Sequence, residues 1–122
     1  MSVTATDGAG RLFDVAGRHV LITGATQGIG EMLARGFHAA GAVVHLSART
    51  AADCEALAAD LGPGASAVPA DVSTSDGCRA LASALGERTD RLDVLVNNAG
   101  TTWGAPLEEY PDAAWDKVLG LN

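Results

Sequence analysis

Apolar residues follow two alternating rhythms along the chain. His19-Val-Leu-Ile-Thr23 is a short continuous run between Gly17 and Gly24, the pattern of a strand buried on both faces. Residues 29–40 then take the helical period, with Ile29, Leu33 and Phe37 at i, i+4, i+8, Met32, Gly36 and Ala40 alongside, and Gly41 as the stop. A second run, Ala42–Ser47, predicts a second strand. Thr50-Ala-Ala-Asp53 has the spacing of a capping box and opens a helix whose face is Cys54, Leu57, Ala58 and Leu61, closed by Gly62-Pro63. Residues 65–70 predict a weaker third strand, with Pro69 near its end. Ser73, with Asp76 three residues on, is expected to cap a third helix with a stripe of Cys78, Leu81, Ala82 and Leu85. Leu92–Asn97 predicts a fourth strand, and Asp112 onward reads as a helix to the end.

The order β-α-β-α-β-α-β-loop-α, with short connections, predicts an α/β fold: a parallel sheet with helices on both faces, doubly wound in three α/β/α layers. Right-handed crossovers give strand order 3-2-1. A fourth strand on the far side of strand 1 makes a switch point there, where such sheets bind ligands outside the carboxyl ends of the strands.

With 122 residues, 48% of them hydrophobic, the chain fits one small domain, and 4% aromatic content suggests helices packed closely on the sheet. The net charge of −7 argues against a nucleic-acid or membrane partner. No run of 18 apolar residues occurs, and residues 1–11 read as a flexible tail without signal-peptide character, so a cytoplasmic location is expected. Cys54 and Cys78 are expected as buried small hydrophobes in a reducing compartment, with no metal site. His19, His38 and His45 share no ligand-like spacing and are expected to be structural.

Residues 23–30, T-G-A-T-Q-G-I-G, leave the first strand and enter the first helix. Gly24 permits the tight turn, Gly28 lets backbone approach a phosphate, and Gly30 lets the helix pack against the sheet. Thr26 and Gln27 add donors beside the helix N-terminus, which favours an anion. The spacing is G-x-x-x-G-x-G and no Lys-Ser/Thr pair follows, so a phosphate-binding P-loop is excluded. At the end of strand 2, residues 46–50 contain no acid but do contain Arg49, whose guanidinium can pair with a 2′-phosphate; this favours NADP(H) over NAD(H). Asp71 and Val72 can meet an adenine amino group and ring, although Asp71 also reads as an ordinary helix-entry residue. Asn97-Asn98-Ala99-Gly100 gives small residues for close approach and amides for loop backbone groups.

Taken together, T-G-A-T-Q-G-I-G, Asp71-Val72, N-N-A-G at 97–100 and Asn122 resemble the classical short-chain dehydrogenase/reductase family over residues 12–122, and the lead-in Leu12–Gly17 is similar as well. The stretch from Asn97 to Pro111, with Trp115 and Leu121-Asn122, looks most like β-ketoacyl reductases, including the rhamnolipid-type branch. The resemblance implies a Rossmann-like fold and hydride transfer between a nicotinamide and a ketone or 3-oxoacyl-type carbonyl, or the reverse alcohol oxidation. It implies that Gly24, Gly28 and Gly30 form the pyrophosphate loop lined by Thr26, Gln27 and Ile29. It puts Arg49 at the 2′-phosphate, Asp71 and Val72 at the adenine, and Asn98, Ala99 and Gly100 beside the riboses, with Asn97 as a structural asparagine. Asn122 matches the asparagine of the catalytic tetrad, and a homodimer or homotetramer is implied for the full-length protein.

The family's serine and Tyr-x-x-x-Lys do not occur in these residues. Tyr110 is followed by Pro-Asp-Ala-Ala, and Lys117 lies seven positions on. A free phenol has a pKa near ~10 and needs a close cation to work at neutrality. The chain therefore reads as the cofactor-binding N-terminal half of such an enzyme, stopping after strand 4 and the start of helix 4, and inactive alone. The alternative is a non-catalytic nucleotide-binding unit acting through association. Trp103 is expected to pack or to wall a substrate site.

Overall fold

The computed structural model describes residues 11–122. The expected tail at 1–11 lies, but for Arg11, outside the described residues. Four parallel strands, β1 (His19–Thr23), β2 (Val43–Ser47), β3 (Ala65–Ala67) and β4 (Val94–Val96), form one sheet in the order β3-β2-β1-β4. Helices α1 (Gly28–Ala39), α2 (Ala51–Leu61), α3 (Ser75–Gly86) and α4 (Asp112–Leu121) connect and follow them, with a 3₁₀ turn at Leu107–Glu109. The doubly wound architecture is the one expected, with the switch at β1 between β2 and β4.

Strand alternation divides the core between the two faces of the sheet. Val20, Ile22, Val44 and Leu46 pack with Ala34 of α1 and Leu57 of α2, whereas Leu21 and Val68 pack with Leu81 and Leu85 of α3. The apolar stripe of α1 is rotated from the expected one. Ile29 and Met32 are both 64% exposed, and the residues that reach the sheet are Gly30 and Ala34, with Leu33 and Phe37 half-buried beside them. Small residues let α1 lie closer to the strands than an isoleucine would.

Both expected caps differ. Thr50 precedes α2 but its side chain makes no capping bond. The cap of α3 is Thr74, not Ser73: the Thr74 hydroxyl accepts from the Gly77 N–H at 3.0 Å. Ser73 is drawn away by Asp71, whose Oδ1 accepts from the Ser73 hydroxyl at 2.6 Å and from its N–H at 3.0 Å. On α3, Cys78 and Ala82 are exposed and Ala84 joins Leu81 and Leu85 against the sheet. Cys54 is buried as expected, but Cys78 is not. β3 and β4 are shorter than their apolar runs. β4 ends the sheet, with Leu95 half exposed. No helix among the described residues is long and apolar enough to cross a membrane.

The three histidines make structural contacts. His38 Nε2 lies 2.8 Å from the Pro63 carbonyl. His19 Nδ1 lies 3.0 Å from His45 Nε2, the rings stacked, and His45 Nδ1 lies 2.8 Å from the Ser66 hydroxyl. Burial pushes the His45 pKa below its ordinary 6.5, helped by His19 and Arg88. The unfolded chain therefore binds the proton more readily, so this stabilising term is complete above pH 6.5 and fades as the pH falls through and below it. Lowering the pH from 8 to 5 is expected to reduce the thermal midpoint, and His45→Leu is expected to flatten that dependence. A midpoint in the variant that falls as steeply as in the wild type contradicts the assignment.

Candidate functional site

A cleft of about 420 Å³ opens at the carboxyl ends of the strands, where the switch point places it. Its walls come from the β1–α1 loop (Thr23, Gly24, Thr26, Gln27, Gly28), the β2–α2 segment (Ser47 to Thr50, and Asp53), the end of the β3 segment (Ala70, Val72), and Asn98, Ala99 and Gly100 after β4. Leu121 closes one side.

Backbone geometry makes the loop. Gly24 and Gly28 hold φ of +62° and +52°, the left-handed region that favours glycine. A methyl at Gly30 would overlap the Gly24 carbonyl and the Asn98 amide, so this position accepts hydrogen alone. At Gly28 nothing lies within 4 Å of where a Cβ would stand, and the backbone is bare toward the cleft. Gln27 precedes α1 without a capping side-chain bond, leaving the first N–H groups of the helix without a side-chain acceptor.

The opposite wall is tied to β1 through one threonine and one asparagine. The Thr23 hydroxyl accepts from the N–H groups of Asn98 (3.1 Å) and Ala99 (3.0 Å) and donates to the Val96 carbonyl (3.3 Å). The Asn98 amide donates to the carbonyls of Thr23 and Gly24 at 3.2 and 3.1 Å. The bracing asparagine is thus Asn98, while Asn97, given that role by resemblance, is exposed. The side chains alternate at a strand end, so only one of two adjacent asparagines can turn back toward β1.

Of the sequence-predicted residues, Gly24, Thr26, Gln27, Gly28, Arg49, Val72, Asn98, Ala99 and Gly100 come together around the cleft. Gly30 sits behind the loop, and Ile29 faces outward. Asp71 is not in the wall. Its bonds to Ser73, with Arg49 nearby, hold its carboxyl below the usual range; both bonds use Oδ1, so the expected adenine contact falls to Oδ2 of the same carboxylate. Asn122 lies at the end of α4, its Oδ1 accepting from the Thr101 N–H at 2.7 Å and its Nδ2 donating to the Thr101 carbonyl at 2.9 Å. Tyr110 packs edge-on against Trp115, and Lys117 lies 5.3 Å over the Trp103 ring, so neither the phenol nor the ammonium serves the other.

Two cleft residues went unread in the sequence. Ser47, at the end of β2, is 1% exposed and its hydroxyl has no partner among the described residues. An unmet buried hydroxyl costs about 1–3 kcal/mol, which a polar ligand or bridging water can relieve. Asp53 reaches the wall from the first turn of α2. The bare loop backbone, the uncapped start of α1 and the orphan Ser47 hydroxyl fit a ligand with a phosphate and a polar base or sugar. Among the described residues, no group of three or more His, Cys, Asp or Glu is arranged to hold a metal ion.

Comparison with known proteins matches residues 18–122 to the short chain dehydrogenase family. The rhamnolipids biosynthesis 3-oxoacyl-[acyl-carrier-protein] reductase of Pseudomonas aeruginosa is 52% identical over 112 residues, covering 90% of this chain and 44% of that protein. The solved Pseudomonas aeruginosa RhlG/NADP active-site complex superposes with a TM-score of 0.85 at 51% identity, over 89% of this chain and 43% of that one. The 3-ketoacyl-(acyl-carrier-protein) reductase from Brucella melitensis, solved with NADH, gives 0.83 at 34% identity, over 88% and 45%. The chain thus spans a little under half the length of these relatives.

Proposed function

The chain belongs to the short-chain dehydrogenase family, and from that membership we propose that its cleft binds NADP(H) for hydride transfer to a ketone or 3-oxoacyl-type carbonyl, or for the reverse oxidation of an alcohol. One observation carries the cofactor reading: the bare glycine loop and the uncapped start of α1 face the same cleft as Arg49. When bound, the dinucleotide supplies or accepts the hydride. The chain's own residues hold it: Gly24 and Gly28 with the first N–H groups of α1 at the pyrophosphate, Thr26 and Gln27 beside them, Arg49 at a 2′-phosphate, and Val72, Ala99 and Gly100 around the adenosine. Asp71 would complete the adenine contact by sharing its carboxylate with Ser73. Asn122 would join a catalytic group through the loop it clamps at Thr101.

No Tyr-x-x-x-Lys occurs within the 122 residues, so this chain by itself is expected to bind nucleotide without turnover, and activity, substrate and a homodimeric or homotetrameric state belong to the proposal for the whole protein. A second reading, a nucleotide-binding unit that works by association, is favoured by the exposed Leu95 and Leu119 on β4 and α4. The test of the cofactor reading is Arg49→Ala. Loss of a charge-assisted phosphate pair is expected to weaken NADP+ binding by about tenfold or more while leaving NAD+ nearly unchanged, measured by titration calorimetry. Equal effects on the two nucleotides would refute the role of Arg49.

A further inference from the structure

The wall that holds Arg49 also carries the opposite charge. The sequence between 46 and 50 contains no acid, but α2 begins at Ala51 and its first turn brings Asp53 back to the same wall. Asp53 lines the adjoining groove between α1 and α2 as well. The cation in that groove, Arg35, is already engaged, 3.1 Å from Glu31 and 2.9 Å from Asp60. Among the described residues neither Asp53 nor Arg49 takes part in an ion pair. The cleft wall therefore carries a cation and an anion outside any ion pair, with Arg49 also acting at longer range on the Asp71 carboxyl beside the wall.

We propose that Asp53 is a specificity-determining residue that limits the preference of the cleft for a 2′-phosphate, opposing the phosphate that Arg49 attracts and leaving adenosine without it admissible. The inference rests on the cofactor reading above. A 2′-phosphate carries close to two negative charges at neutral pH, and a ribose hydroxyl carries none. Both nucleotides share the charged pyrophosphate, so a carboxylate on the same solvent-lined wall tells them apart only through the 2′-phosphate. By Coulomb's law in water-like surroundings, a carboxylate about 6–10 Å from a doubly charged phosphate is worth about three- to tenfold in affinity at low salt. Its position third in α2 gives it a second use, since an acid in the first turn complements the helix dipole.

The test is nucleotide titration of the whole chain and of Asp53→Asn and Asp53→Glu, with NADP+ and with NAD+, at low salt and at about 1 M salt, where the screening length shrinks to about 3 Å. Asp53→Asn is expected to bind NADP+ about three- to tenfold more tightly at low salt, with NAD+ unchanged or slightly weaker, and the gain should vanish at high salt. Asp53→Glu is expected to keep the wild-type ratio. Thermal unfolding of the same variants reads the dipole role separately. An unchanged NADP+ to NAD+ ratio in Asp53→Asn, with nucleotide still bound, overturns the proposal and leaves the cofactor reading standing. A wild-type chain that binds neither nucleotide overturns the cofactor reading and this inference with it.

Discussion

Gly30→Ala is expected to lower the thermal midpoint by on the order of 10 °C and to abolish nucleotide binding, whereas Gly28→Ala loses a smaller share of its stability and loses binding as well. The two glycines are two residues apart and fail for different reasons. At Gly30 an added methyl would overlap the Gly24 carbonyl and stand 2.6 Å from the Asn98 amide nitrogen. The Gly24 carbonyl cannot swing aside, because the Asn98 amide already holds it at 3.1 Å and Gly24 is fixed in the left-handed region. Relief requires α1 to lift from the sheet, which loosens Ala34 and its neighbours in the larger core cluster. Forced overpacking of this kind costs about 3 kcal/mol, and a domain of this size loses several degrees for each. At Gly28 the methyl meets no atom within 4 Å, so the fold loses only the left-handed penalty of about 1–2 kcal/mol. Because Gly28 lines the cleft, its added methyl is expected to crowd a phosphate bound against the loop. Circular-dichroism melts and NADP+ titrations of both variants check this; equal midpoints for the two would contradict the packing argument.

The strength of a signal in the sequence follows what it depends on. β1 and β2 are legible because each is a continuous apolar run opening just after a glycine, Gly17 or Gly41, and their order follows from the handedness of the crossovers. The loop glycines are legible because their demands are local. What stays hidden is any choice between neighbours. Ser73 and Thr74 both have cap chemistry, and Asp71 decides between them by taking the Ser73 hydroxyl. Asn97 and Asn98 are chemically equal, and strand alternation turns one of them to β1. The periodicity of α1 fits two stripes, and the sheet selects the one with Gly30 and Ala34 because close approach matters more there than apolar volume. Asp53 lies outside the window in which a charge at the end of β2 is sought, and only the direction of α2 returns it to the cleft. The orphan Ser47 hydroxyl leaves no mark in a sequence, because being unpartnered is a property of its surroundings.

Thr23→Val is expected to cost about 2 kcal/mol of stability and to weaken NADP+ and NAD+ alike, while Thr23→Ser retains most of both. Valine has nearly the shape of threonine, so the substitution removes the hydroxyl and little else. That hydroxyl is fully used: one proton toward Val96, two lone pairs toward the N–H groups of Asn98 and Ala99, at a residue 6% exposed. The Asn98 N–H has a second acceptor in the Val96 carbonyl at 3.0 Å, but the half-buried Ala99 N–H is left without a protein acceptor, at up to the about 1–3 kcal/mol an unmet buried donor costs. Serine keeps the donor and both lone pairs and forfeits only a methyl. Since the lost bonds hold Ala99 and Gly100 on the far wall of the cleft, the damage is to shape rather than charge and reaches any nucleotide that uses that wall. Thermal unfolding with paired NADP+ and NAD+ titrations separates this from Arg49→Ala, which discriminates between the nucleotides. A loss in Thr23→Val confined to NADP+ would contradict a geometric role, because no part of the threonine tie distinguishes a 2′-phosphate from a hydroxyl.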